Sequence, residues 1–271
     1  MQVAAVIGHP VAHSLSPVLH NAAFAAAGLD WTYVAFDVAP GAAAAALDAM
    51  RTLGIAGLSV TMPHKEDVAA AVDALDPAAA ALRSANTVVR EDGRLVGYST
   101  DGPGFVASLT EAGVGVGGRR IVVLGAGGAA RAVIDALGRE GAAEVVVVNR
   151  TASRAAQAAA LTGVGRVGSI ADVADADIVV NATSIGMGTT ELPLDPRLLR
   201  AGQVVADLVY HPLETALLAA ARAAACTVVD GLGMLVHQAV LQQELWTGRR
   251  PDPAVMRAAA DAELARRAAN R

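Results

Sequence analysis

A glycine-rich loop near the middle of the chain limits the possible folds more than any other feature. The short apolar run at 121–124 (IVVL) leads directly into the loop at 125–130 (GAGGAA), and an alanine-rich helical stretch follows. In this G-x-G-x-x-A pattern the glycines allow a tight strand-to-helix turn, and the helix N-terminus offers N–H groups to a pyrophosphate. A glycine turn in an unrelated α/β domain is the alternative. Because strand, loop and helix occur together, we expect a Rossmann-type dinucleotide site. Its residues are Gly125, Ala126, Gly127, Gly128 and Ala129.

The segment around this loop has the pattern of a parallel α/β domain. Short, nearly all-apolar runs predict strands at 120–124, 144–148, 177–181, 204–208 and 226–229. Helical stretches separate them, and continuous apolar strands fit a parallel sheet with both faces covered. Cys226, the single cysteine, is predicted to be a buried strand residue, and no intramolecular disulfide can form.

The end of the second of these strands indicates which dinucleotide is bound. NAD enzymes commonly place Asp or Glu about 20 residues past the glycine loop, where it binds the ribose hydroxyls. This chain instead has Asn149, Arg150, Thr151 and Arg154. Arginines bind a 2′-phosphate through charge-assisted hydrogen bonds, whereas a carboxylate would repel it. We therefore predict that the cofactor is NADP, and we also expect Thr151 to cap the next helix.

The first hundred residues alternate short apolar runs with alanine-rich helical stretches. Predicted strands lie at 3–7, 31–37, 55–61, 85–90 and 95–98, and the last two flank the hairpin signal Asp92-Gly93. Predicted helices lie at 17–27, 42–53, 66–74 and 77–82, and Ser16 is expected to cap the first of them ahead of Pro17. Further helices are predicted at 232–246 and 253–269.

The expected architecture is α/β throughout. An N-terminal α/β substrate-binding catalytic domain is expected over residues 1–101, and a Rossmann-type NADP-binding domain with a parallel sheet over 104–231. C-terminal helices over 232–271 are expected to return to the first domain. A net charge of −5 with scattered basic residues argues against nucleic-acid or membrane partners. The chain has no signal-peptide pattern, no membrane-length apolar run and no metal-ligand cluster. We expect a cytoplasmic monomer or homodimer that acts on a small molecule.

Polar clusters follow the predicted strands of the first domain, where α/β folds usually place ligand groups. They lie at 8–17 (GHPVAHSLSP), 59–65 (SVTMPHK), 84–87 (SANT) and 99–102 (STDG). Hydroxyls, an amide, one lysine and one aspartate suit a small polyhydroxylated acid better than an apolar ligand.

Taken together, these motifs resemble the shikimate dehydrogenase family. The resemblance covers nearly the whole chain: G-x-P-x-x-H-S-x-S-P-x-x-H-N near the N-terminus, V-T-x-P-x-K, A-N-T, T-D-G, the glycine loop followed by N-R-T, and the segments 177–187, 207–218 and 230–248. It implies the reversible NADP-dependent reduction of 3-dehydroshikimate to shikimate by hydride transfer at C3, a step of aromatic amino acid (chorismate) biosynthesis.

The resemblance also implies roles for particular residues. The substrate ligands at matching positions are Ser14, Ser16, Thr61, Asn86, Asp101, Tyr210 and Gln238. The catalytic pair is Lys65 and Asp101. Further cofactor contacts are expected at Thr183, Leu208, Gly231 and Met234.

Lys65 is also a strong candidate on chemical grounds. Oxidation of a secondary alcohol needs a group that accepts the hydroxyl proton. Lys65 is the only lysine in a chain with 20 arginines, and arginine stays protonated whereas lysine can exchange a proton. A surface role for Lys65, a helix-capping role for Asp101 and a biased coding composition are the alternative explanations.

Two serines depart from the family pattern, since Ser59 and Ser99 stand where the family often has asparagine. Close substrate specificity is therefore open. The alternatives are an NAD-preferring quinate/shikimate dehydrogenase, a non-catalytic shikimate-binding regulatory homologue, and a Rossmann reductase for a folate or aminoacyl substrate. The arginines after Asn149 argue against the NAD-preferring enzyme. The presence of both Lys65 and Asp101 argues against a non-catalytic homologue, and the serine-rich first motif argues against a folate or aminoacyl substrate.

Overall fold

The computed structural model describes residues 1–269 and divides the chain into two compact units. Unit 1 combines residues 1–100 with the chain from Val236 onward, and unit 2 spans Asp101–Leu235. No helix within residues 1–269 is both long enough and apolar enough to cross a membrane.

The first part of unit 1 alternates strands and helices. In chain order they are β1 (Gln2–Gly8), α1 (Ser16–Ala26), β2 (Trp31–Asp37), α2 (Ala43–Leu53), β3 (Gly57–Val60), α3 (Lys65–Ala71), β4 (Ala74–Leu75), α4 (Pro77–Leu82), β5 (Thr87–Glu91) and β6 (Arg94–Tyr98).

Unit 2 continues the alternation, and two long helices end the chain. The elements are α5 (Asp101–Glu111), β7 (Arg120–Leu124), α6 (Gly128–Arg139), β8 (Glu144–Val148), α7 (Ala152–Ala159), β9 (Gly165–Val167), β10 (Ile178–Asn181), β11 (Val204–Asp207), α8 (Ala216–Ala223), β12 (Thr227–Val229), α9 (Gly231–Thr247) and α10 (Pro253–Ala269). Short 3₁₀ helices lie at Ile170–Asp175 and Pro196–Leu198.

The unit 2 sheet has the strand order β12-β11-β10-β7-β8-β9, and every pairing is parallel. Read from β9, this is the doubly wound order of a dinucleotide-binding fold, so the fold class predicted from the sequence is confirmed. Alternate residues of β7 belong to different apolar clusters: Ile121 and Val123 to one, Val122 and Leu124 to the other. Both faces of the strand are therefore covered, which explains why it is apolar without interruption.

The unit 1 sheet is mixed, with the order β2-β1-β3-β5-β6-β4. β1 runs parallel to β2 and β3, whereas β5 runs antiparallel to β3 and β6. The predicted hairpin is confirmed: Glu91 pairs with Arg94, and Asp92 and Gly93 both have positive φ, as a type I′ turn requires. In the same unit α10 packs against α1, and the Arg267 guanidinium donates to the His13 carbonyl at 2.7 Å.

Several local expectations were wrong. Ser16 is the first residue of α1 and makes no side-chain cap. Thr151 does occupy the N-cap position of α7, but its side chain makes no bond to the helix. Cys226 is only half-buried and lies just before β12. The helix expected at 66–74 ends at Ala71, because β4 begins at Ala74 and pairs with β6.

The core of unit 1 encloses a histidine among aromatic rings. His20 is fully buried and stacks on Tyr33 with ring centroids 4.3 Å apart, and the Trp246 ring lies 5.1 Å away. Its ring nitrogens lie 3.4 Å from Gln243 Oε1 and 3.3 Å from Gln242 Oε1. Burial disfavours the imidazolium and lowers the pKa of His20 to about 4.

This histidine makes stability depend on pH. The unfolded chain binds a proton at His20 near pH 6.5, whereas the folded chain resists protonation until about pH 4. The free energy of unfolding should therefore be highest above pH 6.5 and should fall by roughly 3 kcal/mol as the pH decreases through this window. Denaturant unfolding of His20→Phe should show a flatter profile between pH 6.5 and 4.5 than the wild-type protein. The exposed control His13→Gln should keep the wild-type slope, and an unchanged slope in His20→Phe would contradict the assignment.

Candidate functional site

Polar segments follow the strands of unit 1 at one edge of its sheet. Parallel pairing sets Ile7, the next-to-last residue of β1, opposite Val60 at the end of β3. Because β5 runs antiparallel to β3, with Ser59 opposite Thr87, Asn86 lies at this edge as well. The structure thus gathers the segments that carry the predicted site residues Ser14, Ser16, Thr61, Lys65 and Asn86.

The two serines of the first motif have different surroundings. Ser16 is buried, and its side chain interacts with the phenol of Tyr33. Burial raises the pKa of Tyr33 far above its ordinary value, so the phenol stays protonated. Ser14 is half-buried, and its hydroxyl accepts the N–H of Ser16 at 3.2 Å. Tyr33 therefore lies beside Ser16 in the interior, whereas Ser14 stays partly accessible.

Lys65 and Thr61 lie on the segment that follows β3. Both are half-buried, and Lys65 is the first residue of α3. The N–H of Ala85 donates to the Lys65 carbonyl at 3.0 Å, which fixes the start of α3 against the segment that leads to Asn86. The backbone of the predicted proton carrier is thus fixed, and its side chain keeps partial access to solvent.

Hydrogen bonds from Thr100 and Thr87 hold the amide of Asn86 in one orientation. Its Oδ1 accepts the Thr100 N–H at 2.8 Å and the Thr87 hydroxyl at 3.0 Å, and its Nδ2 donates to the Thr100 hydroxyl at 2.9 Å. Asn86 is buried, so these bonds also satisfy polar atoms that are removed from water.

The remaining predicted substrate residues lie on α5, on α9 and after β11. Asp101 is buried at the start of α5, Gln238 is buried on α9, and Tyr210 is half-buried after β11. A Cβ on Gly102 would lie 2.4 Å from the carbonyl oxygen of Ala132. The glycine after Asp101 therefore allows α5 to pack closely on α6, and this close packing fixes Asp101 within unit 2.

Sequence reasoning missed a buried polar group in unit 1. Gln242 on α9 accepts a hydrogen bond from Ser59 at 2.7 Å and donates to the Asn86 carbonyl at 3.2 Å and to the Thr87 hydroxyl at 3.0 Å. Its only signal in the sequence is that Gln242 and Gln243 interrupt an apolar helix, where a buried amide needs partners.

The glycine loop of unit 2 has the geometry that a dinucleotide requires. Gly125 has φ +115°, and a Cβ there would lie 2.8 Å from the Ala182 carbonyl, so this glycine is required by the fold itself. Gly127 has an ordinary extended backbone (φ −80°), and within residues 1–269 a Cβ there would have no atom within 4 Å beyond its chain neighbours. The open space beside Gly127, at the N-terminus of α6, therefore fits a pyrophosphate.

The residues that follow β8 present positive charge. Arg150 and Arg154 are exposed, and neither pairs with a carboxylate anywhere in the described chain. The Asn149 side chain donates to the Thr151 carbonyl at 3.1 Å and stabilises the turn that carries both arginines. Two exposed arginines near the end of a Rossmann strand suit a 2′-phosphate.

A buried carboxylate links the ends of β10 and β11. Asp207 accepts hydrogen bonds from Asn181 Nδ2 at 2.9 Å and from the Thr215 hydroxyl at 2.7 Å. Burial raises the pKa of Asp207, and these bonds oppose the rise. Asn181 Oδ1 in turn accepts the hydroxyl of Thr183 at 2.7 Å, so the predicted cofactor residue Thr183 is held through Asn181.

The other predicted cofactor residues lie near the start of α9 and after β11. A Cβ on Gly231 would lie 2.6 Å from the carbonyl oxygen of Leu208, so these two segments touch. Leu208 and Met234 pack in the same apolar cluster of unit 2. Among residues 1–269 no group of three or more His, Cys, Asp or Glu side chains is placed to hold a metal ion.

Family models match three parts of the chain. The shikimate dehydrogenase substrate binding domain matches residues 6–88, shikimate / quinate 5-dehydrogenase matches 108–187, and the shikimate 5′-dehydrogenase C-terminal domain matches 231–260. The shikimate dehydrogenase (NADP(+)) of Moorella thermoacetica is 51% identical over 265 residues, which are 93% of this chain and 90% of the relative.

Solved structures show the same similarity. The shikimate 5-dehydrogenase of Thermus thermophilus in complex with NADP(H) and shikimate is 40% identical, with a TM-score of 0.92 over 97% of this chain and 99% of that chain. The quinate dehydrogenase of Corynebacterium glutamicum in complex with NAD is 32% identical, with a TM-score of 0.89 over 96% and 99% of the two chains.

The two loop glycines should respond differently to substitution. Gly127→Ala should keep the wild-type melting temperature, because its methyl group meets no protein atom, but it should weaken dinucleotide binding by blocking the pyrophosphate. Gly125→Ala should lower the melting temperature as well, because of its positive φ and its contact with Ala182. Differential scanning fluorimetry with and without NADP measures both effects. A Gly127→Ala protein that binds NADP like the wild type would contradict this view of the loop.

Proposed function

The chain belongs to the shikimate dehydrogenase family, and on this premise we propose that it catalyses the reversible NADP-dependent reduction of 3-dehydroshikimate to shikimate by hydride transfer at C3. The observation that carries the proposal most is the 51% identity, along nearly the full chain, to a relative named shikimate dehydrogenase (NADP(+)). The place of this reaction is chorismate and aromatic amino acid biosynthesis in the cytoplasm, and the protein acts as a monomer or homodimer without nucleic-acid or membrane partners.

The two units divide the work in this proposal. Unit 1 binds the substrate, because its sheet edge gathers the hydroxyls of the first motif and the amide of Asn86. Unit 2 binds NADP, because it has the doubly wound sheet, the open glycine loop and the exposed arginines after β8. The proposed substrate ligands are mostly unit 1 residues, namely Ser14, Ser16, Thr61, Asn86 and Gln238, and the family resemblance adds Asp101 and Tyr210 from unit 2.

The chemistry needs a hydride carrier and a proton carrier. When bound, NADP accepts or supplies the hydride. Lys65 supplies the proton to the carbonyl oxygen of 3-dehydroshikimate during reduction and takes it from the C3 hydroxyl during oxidation. Asp101 is the second member of the proposed catalytic pair. The half-buried position of Lys65 suits this role, since the ammonium must exchange its proton with solvent between turnovers.

The main test is a substrate panel. NADPH oxidation with 3-dehydroshikimate, and NADP reduction with shikimate and with quinate, should show efficient turnover of the shikimate pair. The same assays with NADH and NAD should be much slower. Preference for quinate with NAD would instead favour the activity named for the Corynebacterium glutamicum neighbour, and binding of shikimate without turnover would favour a regulatory homologue.

The exposed arginines should determine the choice of cofactor. Replacing Arg150 and Arg154 together with glutamine should raise KM for NADP by ~100-fold or more and leave KM for NAD nearly unchanged, because each arginine contributes ~1.5–3 kcal/mol to binding a charged group. A matched control replaces Arg90 and Arg249, two exposed arginines of unit 1, with glutamine and so makes the same change in net charge. Equal effects of the two double variants on KM for NADP would show that overall charge, not a 2′-phosphate site, explains the preference.

Lys65 should be required as a proton carrier rather than as a charge. Lys65→Ala should lower kcat by ~10²–10⁴-fold with a much smaller change in KM for shikimate. Lys65→Arg keeps the charge but cannot exchange a proton at working pH, so it should restore little activity. Asp101→Ala should impair both kcat and substrate binding. Steady-state kinetics on variants with native circular dichroism test this. A Lys65→Arg enzyme with near-wild-type kcat would show that charge alone suffices at this position.

A further inference from the structure

A continuous chain of hydrogen bonds runs through the interior of unit 1 beneath the predicted substrate residues. The hydroxyl of Tyr33 donates to Ser59 Oγ at 2.6 Å, and Ser59 donates to Gln242 Oε1 at 2.7 Å. Gln242 Nε2 then donates to Thr87 Oγ1 at 3.0 Å, and Thr87 donates to Asn86 Oδ1 at 3.0 Å. All five residues are buried, so each of these bonds satisfies groups that are removed from water.

The direction of this chain is fixed by one backbone carbonyl. The Asn86 carbonyl can only accept, so the Gln242 atom 3.2 Å from it must be the amide nitrogen. The amide oxygen of Gln242 therefore faces Ser59 and accepts its hydrogen, and Ser59 accepts from Tyr33. The Tyr33 oxygen keeps its acceptor positions, and the side chain of Ser16 interacts with it.

The two ends of the chain lie at or beside residues expected to hold the substrate. One end is Tyr33, which adjoins Ser16 at the start of α1, and the other is Asn86, just before β5. Gln242 is the only member of the chain that α9 supplies, and it lies 183 residues from Ser59 and 155 from Thr87 along the sequence. The side-chain amide of Gln242 thus connects the residues that adjoin two of the proposed substrate ligands.

We propose that Gln242 is a positioning residue for substrate binding, which orients Ser16 through Ser59 and Tyr33 and orients Asn86 through Thr87 and the Asn86 carbonyl. This inference rests on the proposed function, because it assigns Ser16 and Asn86 to the shikimate site. Gln242 does not touch substrate in this account. It fixes the orientation of the Ser16 and Asn86 side chains before the substrate binds. Loss of Gln242 should therefore change substrate affinity.

The neighbouring Gln243 provides a matched control. It is buried to the same extent as Gln242 and lies next to it on α9. Both amides contact His20, Gln243 at 3.4 Å and Gln242 at 3.3 Å, but only Gln242 also bonds to Ser59, Thr87 and the Asn86 carbonyl. Leucine at either position removes a buried amide of similar size. The two variants should therefore lose comparable stability but differ in substrate binding.

The test compares Gln242→Leu, Gln243→Leu and Tyr33→Phe as full-length enzymes with native circular dichroism. Gln242→Leu should raise KM for shikimate ~10-fold, the effect expected for misaligned hydrogen bonds to a ligand. Its kcat and its KM for NADP should change less than about twofold, since the proton carrier and unit 2 are untouched. Tyr33→Phe should raise KM for shikimate by a smaller factor, because it releases only the Ser16 end. Gln243→Leu should leave KM for shikimate at the wild-type value.

The outcomes separate this inference from the proposed function. Absence of turnover of shikimate by the wild-type enzyme would overturn the function, whatever the variants do. Given wild-type turnover, equal KM values for Gln242→Leu and Gln243→Leu would overturn the positioning role and leave Gln242 as a core residue only. If Gln242→Leu fails to fold, Tyr33→Phe decides the question: an unchanged KM for shikimate in that variant overturns the proposal, and a selective rise supports it.

Discussion

The parallel pairing of β1 with β3 is the constraint on which the arrangement of unit 1 depends. It sets Ile7 opposite Val60, so the segments that follow both strands leave the sheet at the same edge. A shift of two residues in this register would move Thr61 and Lys65 away from the serines of the first motif. The register of the strands is fixed by the packing of their apolar faces. The polar side chains at the strand ends are therefore positioned by that packing and not by contacts of their own.

Unit 2 also carries its polar groups in the segments that follow parallel strands. Its parallel strands end in a glycine loop after β7, in arginines after β8 and in the Asn181–Asp207 pair after β10 and β11. The loop conformation depends on Gly125, whose positive φ brings the backbone against Ala182. The carboxylate of Asp207 connects the neighbouring turns through the hydrogen bonds that it accepts, which offset part of the cost of its burial.

Much of this could be predicted from the sequence where the signal is local. The strands at 31–37, 120–124 and 144–148 were placed at their observed bounds, since each is a short apolar run between clear breaks. The pair Asp92-Gly93 alone predicts the turn between β5 and β6. The site residues came from the family resemblance, and their roles remain proposals. Local reasoning failed at Ser16, where a serine before proline looks like a helix cap but is already the first residue of α1 and makes no side-chain cap.

The contacts of Gln242 could not be predicted because they join residues far apart in sequence. This glutamine also gives a physical account of the serine at position 59, where the family often has asparagine. The shorter Ser59 side chain provides only a hydroxyl, and its two hydrogen bonds go to Tyr33 and Gln242. An amide is therefore still present at this point of unit 1, but it is supplied by α9 and not by β3. The departure from the family pattern at Ser59 thus leaves the buried Ser59 hydroxyl satisfied, by Tyr33 of β2 and by Gln242 of α9.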